Sequence, residues 1–159
     1  MVAVYDEPSL RAALDGALHP GGPALTDEML AACSLPHGAF VADVGCGAGL
    51  TAARLRGQGL AAVGIDLSAA LLRDARERAP DLGLLRAEAQ RLPFANGVLD
   101  AVLSECALST FSDLDAALAE SAPRPKAGRV AAGVRSLQPQ PGSRPRWTMR
   151  RAAGARPDD

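Results

Sequence analysis

Val41-Ala42-Asp43-Val44-Gly45-Cys46-Gly47-Ala48-Gly49 is the stretch on which the reading of this chain turns. It follows Pro36-His37-Gly38, begins as a short, partly β-branched apolar run, and ends in three glycines at alternate positions. A short apolar run bounded by turn residues reads as a buried strand. The glycines let the backbone turn sharply and approach a ligand closely, and a helix beginning at Leu50 presents its unpaired N–H groups at the same place.

On either side the pattern alternates between apolar runs and helical spacing. Residues 39–44 form the first strand. Residues 50–60 form a helix with Arg54 and Arg56 on its outer side, ended by Gly57 and Gly59. Residues 60–65 form a second strand. Ser68 caps a helix through residue 79, with Leu71, Leu72 and Ala75 inward and Pro80 stopping it. A weaker third strand covers 82–85. After the Asn96-Gly97 turn a fourth covers 99–104, and Asp113 caps a helix to about residue 120. Ahead of these, Thr26-Asp27-Glu28 opens a short helix to about residue 34, in a segment (1–37) expected to lie over the carboxyl ends of the strands. The fold class is α/β: a Rossmann-like, open, mainly parallel sheet with helices on both faces, incomplete at the C-terminus.

Three further features fall where a nucleotide site needs them. Asp66 ends the second strand, 21 residues after Gly45, where a carboxylate can accept hydrogen bonds from both ribose hydroxyls. A dinucleotide fingerprint would need glycine at position 50, where Leu50 stands, and a buried Asp43 suits a cationic group better than a pyrophosphate. After the third strand, Glu88 can accept from an adenine amino group and Ala89 can offer its backbone.

Together, Asp43 to Gly49, Asp66, Glu88-Ala89-Gln90-Arg91-Leu92-Pro93-Phe94 and Leu99-Asp100-Ala101-Val102-Leu103 resemble a class I S-adenosylmethionine-dependent methyltransferase, of the small-molecule, "type 11" kind, over residues 38–120. The resemblance implies S-adenosyl-L-methionine as cofactor. It also implies a glycine loop (Asp43, Gly45, Cys46, Gly47, Gly49) around the methionine part and Asp66 with Leu67 at the ribose. Glu88 and Ala89 would meet the adenine, and Ser104 to Cys106 would line the substrate side. Gln90 stands where many relatives carry a second acid.

Methyl transfer from a sulfonium needs alignment and exclusion of water more than acid–base help. If the acceptor must lose a proton, Glu105 is the candidate base, against the plain alternative of an exposed carboxylate. The implied partner is a small-molecule methyl acceptor. A non-catalytic or vestigial S-adenosylmethionine-binding protein is the alternative function. Cys33, Cys46 and Cys106 are odd in number and widely spaced, which fits reduced thiols and offers no metal knuckle. No apolar run is long enough for a membrane span, and Met1 to Pro20 has no signal-peptide pattern, so the cytoplasm is the expected location.

Charge divides the chain at Glu120. Up to that point 8 Arg face 16 acidic residues; beyond it 8 Arg and 1 Lys face only Asp158 and Asp159. Six of the 12 prolines also lie in this tail (121–159), a composition that opposes a packed core. The tail's basic charge could suit a nucleic-acid arm, but Trp147 is its single stacking surface and no groove-reading motif accompanies it. In the resembled family the corresponding segment carries "RVLKPGG" before a fifth strand. Codons permitted for Ala122 to Pro139, with one C removed near Pro123, read ARVLKPGGWLLGSEAYN. The expectation is therefore a tail without regular structure, encoded out of frame, and a turnover impaired by the loss of the C-terminal part of the fold.

Overall fold

The computed structural model describes residues 22–121 and, as backbone, 133–135 and 148–149. In chain order these form α1 (Gly22–Cys33), β1 (Phe40–Val44), α2 (Leu50–Gly57), β2 (Ala61–Asp66), α3 (Ala69–Arg78), β3 (Gly83–Arg86) and β4 (Ala101–Glu105). A 3₁₀ turn (Leu108–Thr110), α4 (Leu114–Ser121), β5 (Gly133–Arg135) and β6 (Thr148–Met149) follow. The sheet order is β3-β2-β1-β4-β5-β6, parallel throughout except for the β5–β6 pair. Strand order reverses between β1 and β4, and an open α/β sheet binds ligands beyond its carboxyl ends at such a reversal.

Side chains alternate across a strand, so β1 feeds two cores. Ala42 and Val44 join Val63, Ile65 and Val102 on one face, covered by Leu92, Leu99 and Ala117 of α4. Val41 joins Ala101 and Leu103 on the other, covered by Met29 and Leu30 of α1 and Leu55 of α2. Burial on both faces explains why β1 and β4 read as nearly continuous apolar runs. Asp43 breaks that pattern: it faces the second core at 1% exposure, in register with Gly64 and Leu103.

The expected elements are present with shifted ends. Ser68 caps α3, its Oγ accepting the Leu71 N–H at 3.2 Å. Asp113 precedes α4, its Oδ1 accepting the Ala116 N–H at 2.9 Å. Edge strand β3 is largely exposed, which accounts for its weak pattern. Helix α1 begins earlier than the sequence suggests. Its Met29 and Leu30 need apolar cover, so it packs on the sheet face, and Thr26 reaches the carboxyl end of β4. Of the tail, Gly133–Arg135 and Thr148–Met149 are strands; the rest of that expectation, like residues 1–21, lies outside the described residues. Among the described residues no helix is long and apolar enough to cross a membrane.

Candidate cofactor-binding site

The turn from β1 into α2 is drawn onto the end of β2: the Gly45 and Cys46 N–H groups both donate to the Ile65 carbonyl, at 2.8 and 3.0 Å. Gly45, Gly47 and Gly49 all have left-handed backbones, with φ of 79°, 53° and 77°. At Gly45 the requirement is double, because a Cβ there would overlap Ala107 on the segment after β4. The loop thus passes directly beneath that segment.

Asp66 is the hinge of the site. Its Oδ2 accepts the Gly47 N–H at 2.9 Å and its Oδ1 the Ser68 N–H at 2.8 Å. Two backbone donors fix the carboxylate against the glycine loop, while each oxygen keeps lone-pair capacity for a ligand hydroxyl. Beside it opens a cleft of about 430 Å³, lined among others by Val44, Gly45, Ile65, Asp66, Leu67 and Ala87 to Gln90, and by Thr110 to Ser112 on the opposite wall. That volume suits a small-molecule cofactor. Leu67 is a large apolar side chain left 40% exposed there. The wall carrying Glu88 and Ala89 is anchored by the Leu92 N–H donating to Glu120 Oε1 at 3.0 Å and by Phe94 set edge-on to Phe40, 6.2 Å between centroids.

Two buried side-chain polar atoms among the described residues lack a hydrogen-bond partner, Asp43 Oδ2 and Ser104 Oγ. Both belong to expected site residues, on neighbouring strands at the same end of the sheet. Buried polar atoms are nearly always satisfied, so orphans mark a place where a partner is missing. Burial pushes the Asp43 carboxyl up to about 8; the Glu105 charge adds to this, an N–H from Ala52 in the first turn of α2 opposes it, and Asp66 adds further.

The sequence-selected residues therefore divide into two groups. Gly45, Asp66, Leu67, Glu88 and Ala89 line the cleft. Asp43, Gly47, Gly49, Ser104 and Glu105 are buried and do not line it. Cys46 packs on β2, where a Cβ at Gly64 would come within 2.8 Å of its Sγ, and burial with the Asp43 and Asp66 charges pushes its thiol well above the usual range. It contributes backbone, not a reactive sulfur. Glu105 is a buried carboxylate, not an exposed one. It is 9% exposed, and its oxygens accept hydroxyl hydrogens from Thr26 (3.2 and 3.0 Å) and Thr51 (3.1 Å).

Sequence reasoning missed Thr26 and Thr51, and the wall formed by Thr110, Phe111 and Ser112. Gln90 Nε2 donates to Ser112 Oγ at 2.7 Å and so joins the two walls. No periodicity marks a 3₁₀ turn, and nothing local connects Thr26 with a residue 79 positions later.

The comparisons agree with this geometry. A family model described as "Methyltransferase domain" matches residues 42–127. A demethylmenaquinone methyltransferase of Beutenbergia cavernae is 36% identical over 83 residues, 52% of this chain and 35% of that protein. A Bacillus subtilis protein named "Uncharacterized methyltransferase YodH" is 32% identical over 127 residues, 77% of this chain and 54% of its own length. The chain thus spans about a third to a half of these curated relatives. In fold it is similar to a solved TehB-like S-adenosylmethionine-dependent methyltransferase from Corynebacterium glutamicum, with a TM-score of 0.65 at 21% identity, covering 84% of this chain and 73% of that one. A glycine loop clamped by Asp66 at the strand reversal and a family match across more than half the chain lead to one conclusion: this chain belongs to the methyltransferase domain family.

Proposed function

We propose that the chain binds S-adenosyl-L-methionine in this cleft and transfers its methyl group to a small-molecule acceptor in the cytoplasm. The observation that carries the reading is the Asp66 carboxylate, held by the Gly47 and Ser68 amides at the mouth of a cleft walled by Glu88 and Ala89. The residues present suit the cofactor. Asp66 takes the ribose hydroxyls with Leu67 beside it, Glu88 and the Ala89 backbone meet the edge of the adenine, and the orphaned Asp43 oxygen answers the positive amino-acid end.

The bound cofactor supplies a methyl group already activated on a sulfonium. The chain's task is then to fix the acceptor in line with that methyl group and keep water out. Glu105 accepts hydrogens from Thr26 and Thr51 and is poorly placed to take a proton from an acceptor, so we assign it a structural role. Incubation with methyl-labelled cofactor and fractionated small-molecule extracts tests the activity. Label in a small product supports methyl transfer; tight cofactor binding with no labelled product would support the non-catalytic alternative.

We also propose that the residues from about 122 onward are encoded out of frame, on the strength of the charge break and the "RVLKPGG" reading recovered by removing one nucleotide. Turnover would suffer, since acceptor-side elements follow this point in the family. The coding DNA decides it: if no frame there reads "RVLKPGG", the proposal fails.

A further inference from the structure

Asp43 and Glu105 put two carboxyl groups on one buried face of the sheet. Asp43 stands opposite Leu103 in the β1–β4 register, and Glu105 follows on the same side of β4. Glu105 receives hydroxyl hydrogens from Thr26 of α1 and Thr51 of α2. Asp43 has the Ala52 N–H but leaves Oδ2 buried and unpartnered. The Asp66 carboxylate also acts against ionisation of Asp43. Asp66 closes β2, Cys46 in the loop is held as the thiol, and Asp27 and Arg54 of α1 and α2 pair with each other. On β5, Arg135 occupies the register position opposite Glu105.

Two neighbouring carboxyl groups taken out of water cannot both ionise cheaply. The hydroxyl donors converge on Glu105, which leaves Asp43 as the member that carries the proton. We propose that this pair exchanges its proton for the ammonium group of an amino-acid-bearing ligand, so that cofactor capture by the glycine loop releases a proton from Asp43. The inference rests on the cofactor reading above and adds to it a stoichiometry. The balance is one proton leaving Asp43 to solvent as one ammonium arrives, with no bond made or broken elsewhere.

The consequence is a cofactor affinity that rises with pH while Asp43 is protonated and levels off once it is ionised. Below about pH 7 the slope approaches tenfold per unit, and it flattens above about pH 8.5. The test is calorimetric titration of the full chain with S-adenosylhomocysteine at about pH 7, in two buffers of different ionisation enthalpy, beside 5′-methylthioadenosine, which has the nucleoside but no ammonium. The expected result is release of about one proton per S-adenosylhomocysteine and almost none for methylthioadenosine. In Asp43→Asn the S-adenosylhomocysteine release disappears; the comparison of the two ligands on the parent chain stands even if that variant does not fold. Binding without proton release, or equal release with both ligands, overturns the proposal while leaving the cofactor reading intact. Failure of both ligands to bind overturns both.

Discussion

At the scale of single residues, the clearest forecasts concern Gly45 and Asp43. Replacing Gly45 by Ala imposes a left-handed backbone on an L-residue and drives a methyl group into Ala107, so a loss of about 2–4 kcal/mol in unfolding free energy is expected from urea denaturation. Gly38 separates the two causes. It shares the left-handed backbone (φ 76°) but has nothing within 4 Å of an added Cβ, and its Ala variant should lose only about 1 kcal/mol. If the two variants are equally stable, steric closeness at Gly45 is not what the loop depends on. For Asp43 the folded state holds its proton to a higher pH than the unfolded chain does, so its contribution is fully present in acid. It is lost as pH rises from about 4 toward about 8, at up to about 1.4 kcal/mol per pH unit. Urea midpoints between about pH 5 and pH 8.5 should fall for the parent chain and fall less for Asp43→Asn. The identity of both residues was legible in the motif; the orphaned Oδ2 was not, since it depends on what α2 and β4 bring alongside.

At the scale of elements, the strands and caps were readable because they obey local rules. β1, β2 and β4 are apolar runs between turns, and Ser68 and Asp113 stand where a helix start needs an oxygen. Ser68→Ala should cost about 1 kcal/mol of stability, measured by thermal unfolding, while leaving the sheet intact. Helix α1 was legible as a helix, but the contacts that seat it were not. Its seat is set by Met29 and Leu30 against Leu55 and Leu103, and by Thr26 on Glu105, all contacts between distant parts of the chain. Thr26→Val keeps the shape and removes a donor from a buried carboxylate, for an expected loss of about 1–3 kcal/mol. Combined with Thr51→Val the loss should exceed the sum of the two, because Glu105 then keeps neither hydroxyl donor. Strict additivity in that double-mutant cycle would show that the two hydroxyls do not act on one group.

At the scale of the whole molecule, one strand carries both the core and the site. β1 buries Val41 on one face and Ala42 and Val44 on the other, then releases the chain into the glycine loop at the point where the strand order reverses. That much follows from period and punctuation in the sequence. The second cleft wall, Thr110 to Ser112, does not, because it is aperiodic and lies on the connection from β4 to α4, where Ser112 meets Gln90 of the β3–β4 connection. The proposed function requires that this crevice hold S-adenosylmethionine through Asp66. Calorimetric titration of S-adenosylhomocysteine into the parent chain and into Asp66→Ala tests it most directly. Saturable 1:1 binding that weakens at least about tenfold in the variant is expected, the cost of about 1.4 kcal/mol for a lost charge-assisted contact; no binding by the parent chain, or equal binding by the variant, would rule this role out.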